Sequence, residues 1–275
     1  MKNKILLLLL VVLFTGCSSI PTVNERIIIS NKLIKHLELK KEIIDSEKFK
    51  IYTLQKKSKC KNLRIYIEGD GFSWIMKTKI SDNPTPINPL SMKLFIKDNS
   101  SCKVYLARPC QYVNDILCEK KYWTSHRFSG QIIDSYTETF DKLKRKIGNL
   151  SFEIVGYSGG AAIATLISSK RNDIKYIITV AGNLNHKHWT SKKKITPLTH
   201  SLNPVNFSYK LEKIKQVHLI GSNDKIIDES NFNSYISYFE NTSNIKKIVY
   251  KGFSHHNNWE ENWNKILLDI SKIEY

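Results

Sequence analysis

The chain has 275 residues, 41% of them hydrophobic and 25% charged, with a formal net charge of +18. That apolar fraction supports a sizeable core and excludes a disordered polyelectrolyte. The positive surplus is scattered (Lys40-Lys41, Lys56-Lys57, Lys192 to Lys194, Lys246-Lys247) and builds no long tract, so it reads as solvated surface and raises no expectation of nucleic acid.

Two early lysines precede an apolar run from Ile5 to Phe14. The run is too short to span a bilayer and suits the core of a secretory signal. It leads into Phe14-Thr15-Gly16-Cys17, which resembles the lipobox of bacterial lipoproteins, with Phe14 where that motif usually has Leu. The resemblance implies that residues 1–16 are a signal peptide and that Cys17 is lipidated, palmitate being one such acyl group. Ser18 after the cysteine resembles outer-membrane sorting in enteric bacteria. Together these imply a lipid anchor in the bacterial envelope, facing the periplasm.

Residues 17–47 are basic, carry Ile and Leu, and read as a tether followed by a short helix. From residue 48 to residue 275, strand and helix signals alternate in what reads as one domain. KFKIYTLQKK and LRIYIEGDG are β-rich runs, PLSMKLFIKDN is a helix, and KVYLARP is a strand stopped by proline. GQIIDSYTETFDKLKRKIGN has apolar positions at helical spacing and ends at a glycine. SFEIVGYS predicts a buried strand, followed by a helix from Gly159 to about Arg171. IKYIITVAGN, VHLIGSND and KKIVYKGFS predict further strands, with helices at FNSYISYFEN and WEENWNKILLDISKI, where Trp259 and Trp263 form a packing stripe. Such alternation implies an α/β fold with a mostly parallel central sheet and helices on both faces. Residues 183–213, richer in His, Lys and Pro and without clear period, read as a short cap insertion.

Apart from Cys17, the cysteines are Cys60, Cys102, Cys110 and Cys118, an even set for an exported chain. Cys60 and Cys102 each lie just before a predicted strand, and Cys110 and Cys118 bracket a short loop. This favours Cys60–Cys102 and Cys110–Cys118 bridges, each contributing about 2–4 kcal/mol. The absence of Cys-x-x-Cys argues against a zinc or redox motif, and His186 with His188 reads as a polar loop, leaving no expected metal or cofactor.

Gly156-Tyr157-Ser158-Gly159-Gly160 matches G-x-S-x-G between a predicted strand and a predicted helix. A serine there must take a strained backbone to project its hydroxyl, and small residues at 156 and 160 let the chain pass close to itself. The setting resembles the nucleophile elbow of the α/β-hydrolase superfamily, whose order is serine, acid, then histidine. The resemblance implies Ser158 as nucleophile, Asp224 after the VHLIGSND strand as acid, and His255 after the last strand as base. His256 is the alternative base, and Asp228 and then Glu229 are alternative acids. The oxyanion hole would use backbone N–H groups of Gly159 and of Asp70 or Gly71. In IYIEGDGFSW, Glu68 replaces the histidine usual in that family's loop, and Glu68 and Asp70 would oppose an anion unless turned away or paired, with Arg108 or Arg127 as candidate partners. Arg108 to Tyr112 and Tyr122 to Arg127 are further candidates for pocket lining.

Three functions are therefore weighed. The first is a lipid-anchored serine hydrolase of esters, with thioesters and amides as alternatives, esterase- or lipase-like and taking a small-molecule or lipid substrate. The second is an inactive hydrolase-fold envelope lipoprotein acting as a binding or structural module. The third is an electrostatic binder of anionic polymer or lipid.

Overall fold

The computed structural model describes residues 20–56, 60–148 and 151–275; the expected signal peptide, Cys17 and Ser18 lie outside the described residues. The strands are β1 (Lys40–Asp45), β2 (Lys50–Lys56), β3 (Asn62–Ile67), β4 (Trp74–Met76), β5 (Lys79–Ile80), β6 (Lys103–Leu106), β7 (Ser151–Tyr157), β8 (Ile174–Val180), β9 (Lys215–Gly221) and β10 (Ile245–Tyr250). Eight of them form one sheet in the order β1-β2-β6-β3-β7-β8-β9-β10, while β4 and β5 make a separate antiparallel hairpin. β1 on β2 and β2 on β6 are antiparallel, and every other neighbouring pair is parallel. This is the mostly parallel α/β sheet that the alternation predicts.

The helices are α1 (Val23–Ile34), α2 (Leu90–Lys97), α3 (Gly130–Ile147), α4 (Gly159–Ser168), α5 (His186–Lys193), α6 (Ser208–Leu211), α7 (Glu229–Ile236) and α8 (Trp259–Ser271). Period-two side chains on the strands feed two cores. In β3, Leu63, Ile65 and Ile67 join α3, α4 and α7 residues such as Tyr136, Ile163 and Tyr235 on one face. Tyr66 points the other way, to Phe95 of α2 and Trp263 of α8, which lie edge-on to its ring at 5.9 and 6.2 Å. Burying a large apolar side chain contributes about 1.5–3 kcal/mol, so these clusters dominate the folding energy. Trp259 and Trp263 are fully buried, the packing role expected of that stripe.

The N-terminal segment is more structured than a tether. The sheet begins at Lys40, inside the range read as tether and short helix, because β1 pairs along its whole length with β2. Helix α1 is closed by a capping box: Glu25 N–H donates to Thr22 Oγ1 at 3.3 Å and Glu25 Oε2 accepts Thr22 N–H at 2.7 Å. Arg26 then ties α1 to the 83–85 loop through the carbonyls of Asn83 and Thr85. The Cys60–Cys102 and Cys110–Cys118 bridges both form, with Cα separations of 6.2 and 5.5 Å.

Candidate active site

The carboxyl ends of β3, β7, β9 and β10 reach the same edge of the sheet, where parallel α/β sheets hold their ligands. A cleft of about 760 Å³ opens there, with Ser158 and His255 in its lining. Ser158 sits between β7 and α4 at φ 52° and ψ −116°, a backbone conformation that costs an L-residue on the order of 1–3 kcal/mol. Two close approaches explain its flanking glycines. A Cβ on Gly156 would lie 2.5 Å from the Gly160 carbonyl oxygen, and one on Gly160 would lie 2.4 Å from the Ile67 carbonyl oxygen. The elbow is therefore pressed against β3, and only glycine fits at either contact.

His255 lies five residues beyond β10 and is buried, at 5% exposure. Its Nε2 is 3.0 Å from Ser158 Oγ and its Nδ1 is 2.8 Å from Asp224 Oδ2. Asp224 follows β9 and is itself fixed: Oδ1 accepts the N–H groups of Ile226 and Ile227, each at 2.8 Å. A carboxylate has no proton to give, so Nδ1 carries the hydrogen and Nε2 is left to accept from the serine.

The alternative residues are placed elsewhere. Asp228 caps α7 by accepting Ser230 N–H and pairs with Lys192 at 2.8 Å; burial works against its charge, but those partners hold it down at about 2. Glu229 pairs with Lys247 at 2.6 Å. His256 lines the same cleft, but its Nδ1 is 2.6 Å from Tyr157 Oη, and burial and then the neighbouring His255 hold its pKa below the usual histidine value. His188 Nε2 meets Ser230 Oγ at 2.9 Å, and His186 is buried beside Phe128.

Beside the serine, the N–H groups of Gly159, which follows it in the chain, and of Asp70 and Gly71 donate to no described residue. Both acidic residues of the β3 loop are turned aside, by different means. The Asp70 carboxylate packs on Gly159 and takes Arg108 Nη1 at 2.8 Å and Arg127 Nη1 at 2.6 Å. Burial alone would raise the Asp70 pKa, but the two guanidinium groups more than offset it and hold the group below the usual value. Glu68 points at α2: its Oε1 accepts from Gly69 N–H at 2.9 Å and Ser91 N–H at 3.3 Å, and its Oε2 from Met92 N–H at 3.3 Å and Tyr105 Oη–H at 3.1 Å. Burial pushes Glu68 up to about 7 in spite of those four donors.

The cap range 183–213 contributes Asn183 and Trp189 to the cleft. A wall that sequence reasoning missed comes from residues 70–88, which supply Phe72, Trp74, Pro86 and Ile87. The Tyr157–His256 contact was missed too, since nothing in the pattern brings those two positions together.

Solved structures with this fold include the Pyrococcus furiosus esterase Pf2001, at 13% identity and TM-score 0.61 over 88% of this chain and 92% of that one. Est1E from Butyrivibrio proteoclasticus matches at 13% identity and TM-score 0.56 over 84% of this chain and 99% of that one. An alpha-beta serine hydrolase homologue from Coxiella burnetii matches at 12% identity and TM-score 0.55 over 85% of this chain and 97% of that one. These likenesses establish the α/β-hydrolase fold. No curated protein matches the chain. The serine hydrolase (FSH1) family matches residues 96–256, more than half of the 275 and a span that holds Ser158, Asp224 and His255, and the chain belongs to that family.

Proposed function

We propose that this serine hydrolase cleaves carboxylic esters with a Ser158–His255–Asp224 triad, from a lipid anchor at Cys17 in the bacterial envelope. The observation that carries the reading is the continuous run of 3.0 Å from Ser158 Oγ to His255 Nε2 and 2.8 Å from His255 Nδ1 to Asp224 Oδ2. As Ser158 Oγ attacks the ester carbonyl carbon, its proton passes to His255 Nε2, and Asp224 stabilises the imidazolium that forms. The carbonyl oxygen, now an oxyanion, takes the N–H of Gly159 and that of Asp70 or Gly71. Collapse breaks the bond to the leaving alkoxide, which receives the proton from His255. Water, deprotonated by the same nitrogen, then releases the acid from Ser158. The apolar wall of Phe72, Trp74, Pro86 and Ile87 suits an acyl chain, and an esterase stands among the structural neighbours.

The lipidated location is supported by the sequence at Cys17 and by two disulfides, which persist in oxidising compartments. A fluorophosphonate probe tests the chemistry: the wild type should be labelled and Ser158→Ala should not be. A folded wild type that takes no label would leave the inactive-scaffold reading in its place. Metabolic labelling with an alkyne-tagged palmitate, compared with a Cys17→Ser chain, tests the anchor; equal incorporation would reject it.

A further inference from the structure

Arg127 is 5% exposed, yet it lines the cleft that holds Ser158. Its Nε donates to the Thr124 carbonyl at 2.8 Å and its Nη1 to Asp70 at 2.6 Å, while its Nη2 donates to no described residue. Arg108 is as deeply buried, at 4%, and shares the same carboxylate from the other side. The cluster holds two guanidinium groups against one carboxylate, and among the described residues no second acidic side chain forms an ion pair with either arginine. The other acidic groups near the cleft are held by partners of their own. Glu68 is engaged with the backbone at the start of α2 and with Tyr105, and Asp224 with His255 and the Ile226 and Ile227 amides. A buried charge held beside a substrate cleft with a spare N–H pair is costly unless an anion completes it.

Resting on the serine-hydrolase reading above, we infer that the substrate is an ester carrying a singly charged anionic group, bound by Arg127 Nη2. One free guanidinium arm matches a carboxylate or a phosphodiester better than a phosphate monoester, which carries about −1.5 to −2 at neutral pH and calls for more than one cationic donor. Asp70 positions the guanidinium: by holding Nη1, it leaves the fork's other arm for the ligand. Lys77, exposed on the cleft lining, adds solvent-screened attraction for an anion. The carboxylate of a small half-ester and the phosphodiester of a lipid headgroup share this chemistry, and the two sources separate by assay.

The test compares kcat/KM within two pairs of substrates matched except for charge. The first pair is 4-nitrophenyl hydrogen adipate and its methyl ester; the second is lysophosphatidylglycerol and a monoacylglycerol of the same chain. The wild type should favour the anionic member of at least one pair by about tenfold to a hundredfold, the effect of one charge-assisted hydrogen bond in a buried site. Preference in the first pair alone identifies a small carboxylate ligand, and preference in the second a lipid headgroup. Arg127→Gln should collapse that ratio through KM, and Arg127→Lys should restore part of it, a pattern that a purely structural role would not give. A wild-type ratio of one or less in both pairs overturns the inference without reference to any variant. So does an undiminished ratio in Arg127→Gln. Neutral esters turned over with no anion preference would sink this inference alone, whereas no ester turnover and no fluorophosphonate labelling would sink the hydrolase reading beneath it.

Discussion

Asp224→Asn probes the proposed chemistry with almost no change in shape. The native Oδ1 accepts two backbone N–H groups at 2.8 Å, and Oδ2 faces His255 Nδ1 at 2.8 Å. An asparagine must put its oxygen where Oδ1 was. The opposite orientation would set its NH₂ against the amides of Ile226 and Ile227, leaving buried donors unsatisfied at about 1–3 kcal/mol each. Its NH₂ therefore points at Nδ1, which must now accept. The ring proton moves to Nε2, aimed at Ser158 Oγ across 3.0 Å, and the serine has lost its base. The expected loss in kcat is about 10⁴-fold, close to 5.5 kcal/mol of transition-state stabilisation, with KM little altered. Turnover of 4-nitrophenyl acetate under saturation measures it, with a thermal melt to establish folding. Asp228→Asn serves as the control, because Asp228 caps α7 and pairs with Lys192 away from the histidine. A folded Asp224→Asn enzyme keeping more than about a tenth of wild-type kcat would refute the tautomer argument. An equal loss in the Asp228 control would do so as well.

Two further outcomes follow from the packing around the elbow. Gly156→Ala should destabilise the fold by about 1–3 kcal/mol, since its Cβ meets main-chain atoms of Gly160 and Ala161 at 2.5–2.7 Å and none can swing away. For a chain of this size that lowers Tm by roughly 2–4 °C per kcal/mol, and an unchanged melting curve would mean that the elbow is looser than described. Glu68, pushed by burial from 4.5 up to about 7, contributes stability that is fully present below about pH 4.5 and is lost as pH rises through 7, because only the unfolded chain is ionised in that window. The unfolding free energy of the wild type relative to Glu68→Gln should therefore fall by on the order of 3 kcal/mol between pH 4.5 and pH 8, read from urea titrations. A difference that rises with pH would show that the four hydrogen-bond donors outweigh the burial.

What the sequence made legible was set by local rules. β7, Ser158 and α4 announce themselves because one short stretch must turn sharply between a buried strand and a helix, and only small residues allow it. Asp224 and His255 are legible because each follows a strand whose carboxyl end has to reach the same sheet edge. β1 was hidden: Lys40–Asp45 alternates exposed and partly buried positions on an edge strand, and its lysines obscure the apolar period. The β4–β5 hairpin was hidden for a different reason, being two short strands that pair only with each other and take no part in the main core. The partnership of Tyr157 with His256 spans 99 positions, a separation at which no periodicity carries information.

The acidic loop after β3 shows why composition alone misjudges a site. Glu68 and Asp70 lie two residues apart, at the point where a negative oxygen would form, and by charge count they should oppose it. Their backbone directions send them to different environments. Asp70 meets two buried guanidinium groups, Arg108 and Arg127. Glu68 meets the first turn of α2, where Pro89 stands at the cap position and makes no side-chain capping bond, so the carboxylate does the work of a cap from another element. Neither group faces the N–H donors of Gly159, Asp70 and Gly71 as an unpaired anion. The same two residues that look like an obstacle to acyl transfer therefore anchor one helix and orient one arginine.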